Sequence, residues 1–134
     1  MATQTMRVIQ VHQYGGPEQL KLEEKPRPEP HAGEVLVRAH AAGVNQIDWK
    51  IRQGLMKDFQ PVTFPYTPGI ELAGVIGEVG PGVTAFEAGQ AVLGRCESGA
   101  YADYLTVPVE ALMLKPQTLS FVEAATVPVG ATTA

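Results

Sequence analysis

The alternation of apolar and polar positions changes its period several times along the chain, and each change marks an element. Residues 6–13 are rich in Val and Ile and predict a strand. The turn residues Tyr14-Gly15-Gly16-Pro17 follow, then a second extended piece at 20–23, so the chain opens like a hairpin. Proline at every second position in Lys25-Pro26-Arg27-Pro28-Glu29-Pro30 blocks helix and central-strand hydrogen bonding, which predicts an extended surface connector inside the domain. From Glu34, Val35, Val37, Ala39 and Ala41 alternate with Leu36, Arg38 and His40, the pattern of a half-buried strand.

After Asn45 the period lengthens. Ile47 and Ile51 lie four apart among Asp48, Lys50 and Arg52, and Gly54 is placed to stop what reads as two turns of helix. Pro61, Pro65 and Pro68 keep the next stretch irregular. Residues 70–79 then predict a strand in which Gly74 and Gly77 mark a bulge or a close backbone approach, closed by the turn Gly80-Pro81-Gly82. Residues 91–93 and 100–107 read as further short strands. Ser120-Phe121-Val122-Glu123 matches a capping box, so a helix should begin at Phe121 and run until Pro128 interrupts it. Short strands at this spacing predict a mainly β barrel or sandwich.

Composition narrows the picture. A chain of 134 residues with 45% apolar and 18% charged side chains can bury a real core as one domain. The net charge of −4 and the absence of adjacent Lys or Arg argue against nucleic acid and anionic membrane partners. No apolar run approaches the ~20 residues of a membrane helix. A single Cys96 cannot form an internal disulfide, and Met1-Ala2-Thr3-Gln4 lacks a signal peptide's basic and apolar regions, so a cytoplasmic address is expected. The apolar close from Val129 to Ala134, without a polar cap, suggests that sequence continues beyond it.

The richest chemistry lies between Ala41 and Glu71. Asn45 offers two donors and an acceptor, enough to grip a carbonyl and a neighbouring hydroxyl or to stabilise an enolate; equally, it can cap the helix, with Asp48 favoured at its third position. Glu71, entering an apolar strand after a Pro-Gly turn, should be partly buried and to need a partner such as an Arg. His12, His31, His40 and Cys96 show no metal-ligand spacing, and Cys96 reads as an ordinary thiol. The glycines from Gly77 to Gly82 are in the wrong order for a dinucleotide fingerprint, and no helix follows them.

Several motifs in order resemble one family. Gly15-Gly16-Pro17-Glu18, Ala42-Gly43-Val44-Asn45 with Asp48, Arg52-Gln53-Gly54, Pro65-Tyr66-Thr67-Pro68-Gly69 with Glu71, Val79-Gly80-Pro81-Gly82-Val83 with Phe86 and Gly89, Gly99-Ala100-Tyr101-Ala102 and Thr133-Ala134 recur at family spacing. Over nearly its whole length the chain resembles the amino-terminal, GroES-like domain of medium-chain dehydrogenases/reductases, in the zinc-independent quinone oxidoreductase branch similar to zeta-crystallin. The resemblance implies a partly open β-barrel with short peripheral helices, spanning residues 1–134 and truncated before a Rossmann dinucleotide-binding domain. It implies hydride transfer from NADPH to a quinone or activated alkene or carbonyl, a small-molecule partner, and a homodimer for the full-length protein.

Zinc-dependent relatives place Cys where Asn45 stands and His where Ile70 stands, so no zinc and no metal ligand is expected. Carried over by residue, Asn45 and Asp48 become catalytic, Asn45 and Thr133 approach the nicotinamide, and Met56 and Ile70 line the substrate pocket. Met56 stands where quinone reductases often carry Tyr, which leaves quinone specificity open, and Gln90 replaces a usual Asp. An enoyl or enal reductase domain, and a stand-alone chaperonin-10-like assembly module, are the alternatives that share this architecture. The isolated chain is expected to be inactive.

Overall fold

The computed structural model describes residues 4–133, with side chains described through 130. It is mainly β. Strand β1 (Thr5–Gln10) pairs antiparallel with β2 (Lys21–Pro26), from Thr5 opposite Pro26 to Gln10 opposite Lys21, forming the expected hairpin around a single 3₁₀ turn at Pro17–Gln19. The first half of the proline-rich stretch is therefore strand rather than connector. An edge strand tolerates this because it has no second neighbour to claim the missing N–H.

The second sheet holds β3 (Glu34–Ala42), β4 (Glu71–Val79), β5 (Ala91–Arg95), β6 (Tyr104–Pro108) and β7 (Leu112–Leu114), ordered β6-β3-β4-β5-β7 and antiparallel throughout. The two sheets do not close on one another. Isolated bridges, Val8 to Ala102 and Val11 to Tyr66, tie β1 and the residue after it to the segments preceding β6 and β4. Strand β4 is central, and the first part of it is covered on both faces. Leu72 and Ile76 enter a core with Val35, Val37, Val92, Leu105 and Val107, while Ala73 meets a smaller cluster of Leu93, Ala124 and Ala125. At 25 cal/mol per Å², each such Val or Leu contributes roughly 1.5–3 kcal/mol relative to exposure.

Gly74 is the close approach that its position in the strand suggests: a Cβ there would stand 2.1 Å from the Arg38 carbonyl oxygen, next to a register irregularity in β3. A Cβ at Gly77 would make only ordinary contacts, 3.8 Å to the Leu36 carbonyl oxygen, so it has no such role. Strand β6 starts four residues later than the expected segment at 100–107. The amides of Ala100 and Tyr101 instead bond the carbonyls of Gly69 and Pro68, and Asp103 N–H bonds Arg7.

Among the described residues three α-helices sit outside the sheet: α1 (Gln46–Arg52), α2 (Phe121–Ala124) and α3 (Val127–Thr133). Both halves of the Ser120 capping box form, Glu123 N–H to Ser120 Oγ at 3.1 Å and Ser120 N–H to Glu123 Oε1 at 2.9 Å. Pro128 does not end a helix as expected. The helix stops four residues in, and Pro128 stands in the first turn of α3, where an absent N–H costs nothing. Among the described residues no helix is long and apolar enough to cross a membrane.

Candidate functional site

Helix α1 begins where β3 leaves the sheet, and its sequence sets one face toward a cleft. Asn45, Asp48, Trp49 and Arg52 recur at i, i+3, i+4 and i+7, one stripe of a helix, and all four line a cleft of about 190 Å³. Leu20, Val44 and Pro68 supply apolar walls, and Tyr101 reaches it from the segment before β6. Trp49 is 40% exposed and Val44 81%, so apolar and aromatic surface is presented to whatever enters.

Asn45 holds the N-cap position with extended backbone (φ −123°, ψ 159°), and its backbone N–H donates to Asp48 Oδ2 at 2.8 Å, the return half of a capping box. Its side-chain Nδ2 donates to Glu71 Oε2 at 2.8 Å. The capping reading of Asn45 is the one these contacts show. A carboxylate only accepts, so Glu71 fixes which way the amide points; one N–H is committed there, and the amide oxygen faces the Asp48 backbone N–H as the other half of the capping box, which leaves the second N–H. The amide is therefore not a free pair of donors for an oxyanion.

Asp48 is 6% exposed. Its Oδ2 also accepts from the Tyr101 hydroxyl at 3.0 Å, across 53 residues of sequence. Burial, then the Asp48 carboxylate, push the Tyr101 phenol far above the ordinary tyrosine range, which keeps it a neutral donor. Behind the cleft, burial raises Tyr66 to about 12 against the lowering pull of Arg52. Arg52 is itself buried, and its Nε donates to the Gly15 carbonyl at 3.3 Å.

Glu71 is 3% exposed at the first position of β4. The expected Arg partner is replaced by two uncharged donors, Asn45 Nδ2 and the Val129 N–H of α3, the latter to Oε1 at 3.1 Å. Gly43 makes room for this carboxylate: a Cβ there would stand 2.1 Å from Oε2.

Of the other residues expected at the site, Ile70 is buried just before β4 and Met56 is half-buried in the turns after α1; neither lines the cleft. The side chain of Thr133 lies outside the described residues. Sequence reasoning missed Trp49 and Tyr101. The helical stripe starting at Asn45 was the signal for Trp49, whereas Tyr101 arrives by tertiary contact alone.

Of the residues not expected as ligands, His12, His40 and Cys96 are engaged elsewhere. His12 Nε2 meets Glu23 at 2.7 Å, and His40 stacks on Phe121 with centroids 4.3 Å apart. The Cys96 thiol donates to the Gly69 carbonyl, and burial pushes it up to about 11, the value of an unreactive thiol. Among the described residues no three His, Cys, Asp or Glu side chains converge.

Known proteins resemble this chain in sequence and fold. Residues 31–117, well over half of the chain, match the alcohol dehydrogenase GroES-like domain. A chloroplastic quinone-oxidoreductase homolog of Spinacia oleracea is 37% identical over 100% of this chain and 42% of its own length. The quinone oxidoreductase of Escherichia coli, solved in complex with NADPH, superposes with a TM-score of 0.82 at 34% identity, over 91% of this chain and 36% of that one. A cobalt- and zinc-bound thermostable alcohol dehydrogenase from Pyrobaculum aerophilum superposes with a TM-score of 0.81 at 32% identity, over 93% and 45%. The chain spans less than half the length of these relatives. With that domain matched over most of its length and quinone oxidoreductases among its relatives, the chain belongs to the alcohol dehydrogenase GroES-like domain family of the medium-chain dehydrogenase/reductase superfamily.

Proposed function

We infer that this chain is the substrate-side domain of a zinc-independent, NADPH-dependent reductase of quinones or activated alkenes and carbonyls, completed by a dinucleotide-binding domain. The observation that carries the reading is the cleft itself: an oriented carboxamide at Asn45 beside apolar and aromatic walls. The NADPH complex of a quinone oxidoreductase with this domain fold supports the choice of cofactor.

The donor set suits a metal-free site. Asn45 and Ile70 occupy the positions where the resemblance expects zinc ligands, and neither side chain binds zinc well. The cleft also suits a polar acceptor, because Asn45 retains one N–H after Glu71 has taken the other. When bound, NADPH supplies the hydride. The chain's own residues then do the remainder. Trp49, Val44 and Pro68 exclude water from an apolar acceptor, and the free N–H of Asn45 faces the oxygen on which negative charge develops. Such a donor contributes most when it is already oriented before the reaction.

The test is NADPH consumption by the protein carrying both domains, with naphthoquinone and 2-hexenal as acceptors, with and without a zinc chelator. Turnover of at least one acceptor, unchanged by chelation, is expected. Turnover abolished by the chelator, or none with either acceptor, overturns the reading.

A further inference from the structure

Glu71 stands where a charged group is tolerated only if it is well bonded. Its oxygens reach two separate parts of the molecule. Oε2 accepts from Asn45 in the cleft at 2.8 Å, and Oε1 accepts from Val129 in α3 at 3.1 Å, 58 residues along the chain. Helix α3 in turn packs against β4 and β5. The carboxylate occupies the space a side chain at position 43 would take: a Cβ at Gly43 would stand 2.1 Å from Oε2, and Gly43 N–H bonds the Glu71 backbone carbonyl at 3.1 Å.

We propose that Glu71 is a positioning residue that ties the orientation of the Asn45 amide in the cleft to the docking of α3 on the end of β4. An asparagine amide on its own turns over between two orientations of nearly equal energy. The accept-only carboxylate removes that degeneracy, with the amide oxygen turned to the Asp48 N–H, so the remaining N–H keeps one direction. Val129 makes the grip conditional. With α3 docked, each carboxylate oxygen has its donor; without it, a buried carboxylate keeps a single bond and must find water or shift toward Asn45, which releases the amide from its set direction. The two hydrogen bonds thus relate the position of a helix to the geometry of a cleft residue, with one side chain between them.

The geometry stands independently of the reductase reading, while its kinetic consequence rests on that reading, so the test has two arms. In the 15N-labelled 134-residue chain, the Asn45 side-chain NH₂ signals, identified by their loss in Asn45→Ala, should lie away from the free-amide position and exchange slowly. Glu71→Met keeps the size and removes both acceptors; it should return those signals to the free-amide position and shift the Val129 amide with them. Should that variant not fold, Gly43→Ala leaves both partners in place but intrudes on Oε2, and should produce the same joint change. Asn45 signals unmoved in the folded variant, or already free in the wild type, overturn the proposal.

In the protein carrying both domains, Glu71→Met and Asn45→Ala should each lower kcat/KM about tenfold, with the double variant no worse than Asn45→Ala alone. Two losses that multiply would show that Glu71 does not act through Asn45, and would overturn the proposal. If the wild type reduces no acceptor, the reductase reading fails and the NMR arm alone decides the role of Glu71.

Discussion

Replacing Asn45 by Asp tests the amide–carboxylate contact through its dependence on pH. The substitution is nearly isosteric, but where Nδ2 donated to Glu71 at 2.8 Å, a carboxylate oxygen now faces a carboxylate oxygen. Two ionised groups at that distance repel by about 6 kcal/mol even at an effective dielectric constant near 20. Asp48, whose carboxylate already bonds the Asn45 backbone N–H, adds charge of the same sign. The pair therefore holds one proton in the folded protein, with an apparent pKa raised by about two to three units above the unfolded value near 3.9.

The sign of the pH dependence follows from that direction. A raised folded pKa means stability present below the unfolded value and lost as pH rises through the folded one. The variant should match the wild type near pH 4 and fall about 3–4 kcal/mol below it by pH 7. That is a large share of a typical domain's 5–15 kcal/mol. Urea unfolding of both proteins across this range, with the difference taken at each pH so that shared titrations cancel, measures it. A difference that does not grow with pH would refute the contact and the geometry built on it.

Three further outcomes follow from the same structure. Tyr101→Phe removes the hydroxyl bonded to Asp48 and should cost about 0.5–1.5 kcal/mol in urea unfolding; no loss would place that hydroxyl in water. Cys96, with its thiol raised to about 11 by burial, should react with iodoacetamide far more slowly than free cysteine at pH 8 and accelerate as pH approaches 11. A rate equal to free thiol would contradict its burial. Trp49 is the chain's one tryptophan and lines the cleft, so naphthoquinone should quench its fluorescence saturably, and linear quenching that matches a free tryptophan amide would remove it from the site.

Some of this was legible in the sequence because the physics is local. Ser120 and Glu123 lie three residues apart, and that spacing alone specifies the start of α2. The period of two from Val35 to Ala41 marks β3, and the change of period after Asn45 marks α1. Other features depend on partners that sequence does not name. The donors of Glu71 come from 26 and 58 residues away, so an uncharged pair could not be told from an Arg. Strand β7 is three residues long, too short for an alternation to register. Pro128 is a breaker within a helix and a good early residue of one, and only the end of α2 decides which. Met56 and Ile70 entered the expected site through correspondence with relatives; Met56 sits in the turns after α1 and Ile70 is buried just before β4, and neither is on the cleft walls.

The most direct measurement of the account is acceptor-dependent NADPH oxidation by the two-domain protein and by its Asn45→Ala variant, each assayed with a zinc chelator present. The account predicts turnover by the wild type under chelation and a loss of about tenfold in the variant. Activity that vanishes with the chelator, or a variant as fast as the wild type, would contradict it.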